Sequence, residues 1–168
     1  MSTVKKIGVG VIGCGYWGPN LVRNFLALRD CHLKTICDVS NERLRHLKGI
    51  YPSVETETDY EKMLKDPDLH AVVIATSVKH HFPMAKSSLL AGKHTLIEKP
   101  LAASVEQCEE LIALAKKQGL VLMVGHTFLY SPAVRKIKEI LDKKDIGVIQ
   151  YISARRLNLG LFQKDINV

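Results

Sequence analysis

Three glycines and an aspartate have the types and the spacing of a dinucleotide-binding site. Gly13, Gly15 and Gly18 follow the apolar run 7–12 as a G-x-G-x-x-G motif, and Asp38 lies 20 residues after Gly18. At this spacing the first glycine makes a tight turn, the second lets the backbone approach a pyrophosphate, and the third lets a helix pack closely on the strand. The first turn of that helix offers free N–H groups to the phosphates. The motif therefore predicts NAD binding.

The choice between NAD and NADP depends on Asp38, which ends the second predicted strand. Its carboxylate is placed to accept hydrogen bonds from the adenosine ribose and to repel the 2′-phosphate of NADP. NAD is therefore the expected cofactor. Arg43 lies five residues later, and an arginine there can swing over a 2′-phosphate, which leaves NADP open. The other interpretation of Arg43 is a solvated helix side chain.

A second group of residues, Glu98, Lys99 and Pro100, directly follows the apolar run 94–97. Proline keeps the residue before it out of the helical conformation, so Lys99 is held in a stiff turn. A lysine fixed in this way can donate a hydrogen bond to a substrate hydroxyl or carbonyl and can stabilise an alkoxide. Glu98 can hold the ammonium in place. Lys99 and Glu98 are therefore the predicted catalytic residues.

The elements that must position these residues alternate along the chain. Short apolar runs rich in β-branched residues predict strands, and segments with helical spacing lie between them. This alternation indicates βαβ units, so the predicted fold class is α/β with a doubly wound parallel sheet. The predicted strands are 7–12, 33–37, 70–75, 94–97 and 121–124, and the predicted helices are 18–29, 41–48, 59–65, 82–91 and 105–118.

Three of the predicted strand ends share one edge of this sheet. Open parallel sheets bind their ligands outside the carboxyl ends of the strands. The glycine loop, Thr76 and the turn at Lys99 each follow a strand directly. We therefore expect Lys99 to lie beside the nicotinamide ring.

The pattern changes after residue 125. A helix is predicted at 131–142, and residues 148–158 alternate as a long strand that no further helix follows. A long strand cannot satisfy its backbone without a partner. The sequence therefore predicts an NAD(P)-binding Rossmann domain at 1–125 and, at 126–168, a connecting helix with the start of an incomplete C-terminal domain.

Composition narrows the class of protein. The four cysteines show no C-x-x-C spacing, which fits a reduced, cytoplasmic protein without a metal site. No apolar run approaches the ~18–20 residues of a membrane span. The net charge is +7, but no aromatic residues interleave with a basic run, as a single-stranded nucleic-acid surface requires. Neither a nucleic acid nor a membrane is expected as a partner.

Five stretches together resemble the Gfo/Idh/MocA oxidoreductases: VGVIGCGYWG, CD at 37–38, ATSVKHH, AGKHTLIEKPLA and LVLMVGHTFLYSPAV. The resemblance implies a Rossmann domain followed by an α/β domain with an open, mostly antiparallel sheet, which would form homo-oligomers. It also implies reversible hydride transfer between NAD(P) and a carbinol of a sugar, nucleotide sugar or cyclitol. A nucleotide-diphosphosugar is the first choice, because the basic balance suits an anionic ligand.

The resemblance also implies roles for single residues. Tyr16 and Trp17 join the glycines on the cofactor. Thr76 and His81 fall on the stretch that passes the nicotinamide ribose, and Lys99 is the substrate-side lysine. The alternative for His81 is a residue at the start of a helix that packs on the loop. The family's acid–base histidine would lie in the second domain, so residues 1–168 alone are expected to bind cofactor without being active.

Two other classes of protein would also contain part of this pattern of sequence motifs. A non-catalytic NAD(H)-binding or sensing module would need the glycine loop and Asp38 but has no use for Lys99. A structural Rossmann domain would use the predicted strand at 146–158 only to dimerise. Neither predicts the Glu-Lys-Pro turn, so an NAD(P)-dependent dehydrogenase is the favoured interpretation.

Overall fold

The structure, a computed structural model, describes residues 6–155 and residue 157. The chain divides into two compact units, 1–125 and 126–168. The first unit holds six strands: β1 (Ile7–Ile12), β2 (Cys31–Cys37), β3 (Glu55–Glu57), β4 (Ala71–Ile74), β5 (His94–Ile97) and β6 (Leu122–Val124). Their order in the sheet is β3-β2-β1-β4-β5-β6, and all neighbours are parallel. The predicted doubly wound α/β fold is confirmed.

Five helices connect these strands: α1 (Gly18–Ala27), α2 (Asn41–Ile50), α3 (Tyr60–Leu64), α4 (Val78–Leu90) and α5 (Val105–Gln118). Ser40, Asp59 and Ser104 cap α2, α3 and α5 by accepting hydrogen bonds from first-turn amides. Such caps satisfy groups that a helix start leaves unpaired. Within the described residues, α1 and α4 begin without a side-chain cap. Nor is any helix there long and apolar enough to cross a bilayer.

The core lies on both faces of the sheet, because successive side chains of a strand point to opposite sides. On one face, Val9 and Val11 of β1 pack with buried residues of α1 and α2. On the other face, Ile74 of β4 and Ile97 of β5 pack with buried residues of α4 and α5. Since helices cover both faces, the central strands offer a ligand only their ends.

Two elements of the first unit depart from the sequence-based prediction. The short strand β3 was not predicted, because its residues, Glu-Thr-Glu, are polar and lie at the edge of the sheet. Helix α4 begins at Val78 rather than at residue 82. Its first turn carries Lys79 and His80, which interrupt the apolar spacing that marks a helix in sequence.

The second unit has a 3-10 helix (Thr127–Tyr130) and α6 (Pro132–Asp142), close to the predicted helix at 131–142. The strand predicted over 148–158 is not formed in the part that the structure describes: residues 148–155 and 157 lie in no helix or strand. A strand needs a hydrogen-bonded neighbour, and the described residues after 125 contain no strand that could serve as one. The assignment of 126–168 to a second domain stays a prediction.

Candidate functional site

The candidate site lies at the carboxyl ends of five strands. The register of the sheet aligns these ends, because the last residues of neighbouring strands are paired. The last paired residues, from β2 across to β6, are Cys37, Ile12, Ile74, Ile97 and Val124. The residue after each continues the row: Asp38, Gly13, Ala75, Glu98 and Gly125. The structure thus brings the predicted glycine loop, the acid and the Glu-Lys-Pro turn to one edge.

The structure explains the lack of a side chain differently at each of the three glycines of the loop. Gly13 has a φ of +97°, and a Cβ there would meet the carbonyl oxygen of Ala75 at 2.7 Å. A Cβ on Gly18 would collide with the carbonyl oxygen of Gly13, so this glycine lets α1 approach β1. At Gly15 an added Cβ would meet only the guanidinium of Arg43, at 4.0 Å. The first two glycines are required by the fold, whereas Gly15 leaves open space beside the loop.

The start of α1 adds free amides to that space. Trp17 is its N-cap residue, and among the described residues no side chain caps this helix. Unpaired first-turn amides and the positive end of the helix dipole suit a phosphate. Tyr16 is 73% exposed and Trp17 is 43% exposed, so both aromatic rings are accessible where the sequence predicts cofactor contacts.

Asp38 is buried and its carboxylate is already hydrogen-bonded. Oδ2 accepts from the backbone N–H of Cys14 at 2.7 Å, and Oδ1 accepts from that of Ser40 at 2.8 Å. Arg43 places Nη1 3.6 Å from Oδ2. The carboxylate therefore ties the glycine loop to the end of β2. A carboxylate has about four lone-pair sites, so these contacts leave acceptor capacity for a ribose hydroxyl.

Cys14, the residue between the first two glycines of the motif, packs beside the end of β2. Its thiol lies 3.9 Å from the carbonyl oxygen of Cys37. Burial raises the pKa of the Cys14 thiol to about 12, and the charge of Asp38 adds to the effect. Burial likewise raises the pKa of Cys37 to about 12. Both thiols are thus protonated at neutral pH and are poor nucleophiles.

His81 of α4 lies between two loops of the same edge. It is 1% exposed. Its Nδ1 lies 2.7 Å from the carbonyl oxygen of Pro100, and its Nε2 lies 3.0 Å from that of Thr76. Thr76 itself is half-buried beside Gly13. Since both ring nitrogens face protein carbonyls, this geometry does not support the predicted polar contact between His81 and the cofactor.

The Glu-Lys-Pro turn has the predicted place but a different internal geometry. Lys99 is exposed, and among the described residues its ammonium forms no ion pair. Glu98 instead accepts a hydrogen bond from the backbone N–H of Lys99 at 3.3 Å. Glu98 therefore fixes the backbone of Lys99 and leaves the ammonium free, contrary to the expectation that it holds the ammonium.

Gly125 is a residue of the site that sequence reasoning missed. A Cβ there would meet the carboxyl group of Glu98 at 3.1–3.3 Å, and its N–H donates to the carbonyl oxygen of Ile97 at 2.7 Å. The glycine makes room for the Glu98 side chain. A glycine directly after a parallel strand was the available signal.

Three structural features make this edge of the sheet suitable for a dinucleotide. The space at Gly15 is filled by no protein group, the first turn of α1 is uncapped, and the Asp38 carboxylate is rigidly placed. The matching family model is the Gfo/Idh/MocA oxidoreductase family, NAD-binding Rossmann fold, over residues 7–126.

The chain belongs to the Gfo/Idh/MocA family. One relative in it is 1-carboxy-3-chloro-3,4-dihydroxycyclohexa-1,5-diene dehydrogenase of Comamonas testosteroni. It is 33% identical over 144 residues, which cover 86% of this chain and 36% of that protein.

Two solved structures of similar proteins contain a nicotinamide cofactor. Scyllo-inositol dehydrogenase from Lactobacillus casei, with NAD(H) and scyllo-inositol, has a TM-score of 0.80 and 26% identity, covering 85% of this chain and 43% of that one. A 3-ketoreductase from Actinomadura kijaniata, with NADP and TDP-benzene, has a TM-score of 0.77 and 30% identity, covering 83% and 43%. This Gfo/Idh/MocA chain thus spans less than half the length of these relatives.

Proposed function

We propose that the whole protein is an NAD(P)-dependent dehydrogenase. It would transfer a hydride between nicotinamide and a carbinol or ketone of a sugar, nucleotide sugar or cyclitol. One observation carries this proposal: the register of β1, β2 and β5 places the glycine loop, Asp38 and Lys99 along one edge. Relatives named as cyclitol dehydrogenases and nucleotide-sugar reductases support the class of substrate.

The cofactor would lie across the carboxyl edge, where a bound nicotinamide supplies or accepts the hydride. The amides of the glycine loop and of the first turn of α1 would hold the pyrophosphate. Asp38 would accept hydrogen bonds from the adenosine ribose, and Thr76 would pass the nicotinamide ribose. The residues proposed to bind the cofactor are Gly13, Gly15, Tyr16, Trp17, Gly18, Asp38 and Thr76.

Lys99 would act on the substrate oxygen. Its ammonium is exposed and, within the described residues, is engaged in no ion pair, so its donors are available to a ligand. A hydrogen bond from this ammonium to a carbonyl or hydroxyl oxygen stabilises the negative charge that develops there as hydride moves. Glu98 contributes by fixing the Lys99 backbone.

NAD is the preferred cofactor, with NADP as the alternative. The carboxylate of Asp38 lies where it would repel a 2′-phosphate. Two backbone amides and the Arg43 guanidinium partly offset its charge. Arg43 has a side chain that is 56% exposed, so it is accessible to a phosphate.

The remaining proposals concern the cellular location and the oligomeric state of the enzyme. We infer a cytoplasmic location from the four unpaired cysteines, which suit a reducing compartment. We infer a homo-oligomer that forms through the C-terminal part. Val148, Tyr151 and Ile152, each at least 80% exposed, support a partner for that part. No nucleic-acid or membrane partner is proposed.

The test is a hydride-transfer assay on the whole protein. NAD⁺ or NADP⁺ is supplied with a panel of cyclitols, free sugars and nucleotide sugars, and reduced nicotinamide is measured. We expect turnover with one substrate class, abolished or strongly reduced in Lys99→Ala and retained in the exposed-surface control Lys117→Ala. NADH binding without turnover on any of these substrates would favour the sensing module instead.

A further inference from the structure

The two ring nitrogens of His81 both face hydrogen-bond acceptors. Both ring nitrogens lie within hydrogen-bond distance of carbonyl oxygens, which only accept. A neutral imidazole carries one N–H and donates to one of these carbonyls, whereas an imidazolium carries two and donates to both. Nδ1 is the nitrogen nearer to its carbonyl, at 2.7 Å from the oxygen of Pro100, and we take it as the donor. His70 and His94 differ, because each Nδ1 accepts from a backbone N–H.

The carbonyl bound by His81 belongs to the residue next to Lys99. The turn is therefore held on both sides of the lysine: Glu98 accepts from the Lys99 N–H at 3.3 Å, and His81 contacts the Pro100 oxygen. The lysine side chain is exposed and has no ion-pair partner within the described chain. Its direction consequently depends on the backbone that carries it.

The other end of the ring faces the loop after β4. The Thr76 oxygen lies 3.0 Å from Nε2, and a Cβ on Gly13 would touch the Thr76 side chain at 2.9 Å. One buried ring thus spans the loop beside the glycine turn and the loop that carries Lys99. Because the ring is buried and packed against both loops, a movement of either loop relative to the other would disturb this packing.

We propose that His81 is a positioning residue for Lys99. Its Nδ1–H, donated to the Pro100 carbonyl, fixes the lysine turn at a set distance from the Thr76 loop. This role rests on the proposed function, in which the Thr76 loop borders the nicotinamide and Lys99 meets the substrate. The ring touches neither ligand, and it acts through the backbone at Pro100.

Two substitutions test the contributions of the two ring nitrogens separately. The amide nitrogen of asparagine falls near the position of Nδ1, so His81→Asn keeps the donor to Pro100. The amide nitrogen of glutamine falls near that of Nε2, so His81→Gln keeps a group near Thr76 and removes the donor to Pro100. The matched control is His80→Gln, at the neighbouring exposed histidine.

Three measurements on the 168-residue chain test the proposal. Nitrogen NMR of the imidazole in the parent should show a proton on Nδ1 of His81. Exchange of the Lys99 amide, which donates to Glu98, should be unchanged in His81→Asn and His80→Gln and about tenfold faster in His81→Gln, the worth of one net hydrogen bond. NADH affinity, measured on the same samples, should stay within about threefold, because the ring touches no phosphate.

In the whole enzyme, His81→Gln should lower kcat by about tenfold or more, with little change in the KM for NAD, since the lysine is misplaced but the cofactor site is intact. His81→Asn should restore most of the activity. A bare Nδ1 in the parent, or equal behaviour of the two variants, would overturn the proposal. Failure of the parent chain to bind NADH, with the NMR and exchange results as expected, would instead overturn the proposed function.

Discussion

Replacing Asp38 should damage both the fold and the choice of cofactor. Its side chain is 5% exposed and accepts hydrogen bonds from the amides of Cys14 and Ser40. Asp38→Ala leaves both amides without their acceptor, and each unsatisfied buried donor costs about 1–3 kcal/mol. The Ser40 amide is only partly buried, so we expect a total loss of about 2–4 kcal/mol of unfolding free energy. The pair with the exposed Arg43 adds less than about 1 kcal/mol.

Asp38→Asn separates the two effects. The amide oxygen keeps one acceptor and the volume is preserved, so the loss of stability should be about half that of alanine. The repelling charge is removed together with an acceptor for the ribose. The ratio of the NADP to the NAD dissociation constant should therefore fall by about tenfold or more, equivalent to roughly 1.4 kcal/mol.

Urea unfolding and fluorescence titration with NADH and NADPH measure these quantities, and Asp30→Asn at an exposed position is the control. Parent-like stability of Asp38→Ala would refute the structural role of the carboxylate. If the parent binds NADPH as tightly as NADH, Asp38 does not select the cofactor, and Arg43→Ala becomes the informative variant.

Three further predictions concern other parts of the chain. In the whole enzyme, Lys99→Ala should lower kcat by about 10²–10³-fold, the usual worth of one hydrogen-bond donor to a developing negative charge. NAD affinity should change little, and near-parental kcat would reduce Lys99 to a structural residue. Because burial raises the pKa of Cys14 and Cys37 from an ordinary value of 9.0 to about 12, the unfolded chain loses these protons first as pH rises. Stability should then decline between pH 9 and 12, less so in Cys14→Ser than in the control Cys108→Ser, and a pH-independent denaturation midpoint over that range would contradict the burial. Amides at 148–155, which lie in no helix or strand, should exchange rapidly in the isolated chain, whereas slow exchange in a monomer would show structure there.

The sequence predicted the sheet well because its central strands are continuous apolar runs. Residues 7–12 and 94–97 lie at the predicted bounds, because strands buried on both faces are rich in β-branched and other apolar residues. The polar edge strand β3 gave no such signal. The strand predicted at 148–158 is not formed in residues 148–155 and 157, the part of that range that the structure describes. Its alternating pattern indicates a preference, but hydrogen bonding to a neighbour decides whether a strand forms.

At the candidate site, motif spacing located the edge but did not determine the contacts within it. That Glu98 meets the backbone of Lys99, and not its ammonium, depends on the space above Gly125. That His81 turns inward depends on the two carbonyls beside it. Gly125 beside Glu98 and Pro100 beside His81 are far from their partners in sequence, and motif spacing carries no information about such contacts.

The proposed function requires that the open space at Gly15 receive the pyrophosphate of the cofactor. This requirement is tested most directly by titrating NADH into the parent, Gly15→Ala and Gly49→Ala, with urea unfolding of each. An alanine Cβ meets no close protein atom at either position, so both variants should be at least as stable as the parent. We predict that Gly15→Ala weakens NADH binding by at least about tenfold, while Gly49→Ala binds as the parent does. Parent-like NADH affinity in a stable Gly15→Ala chain would contradict the account.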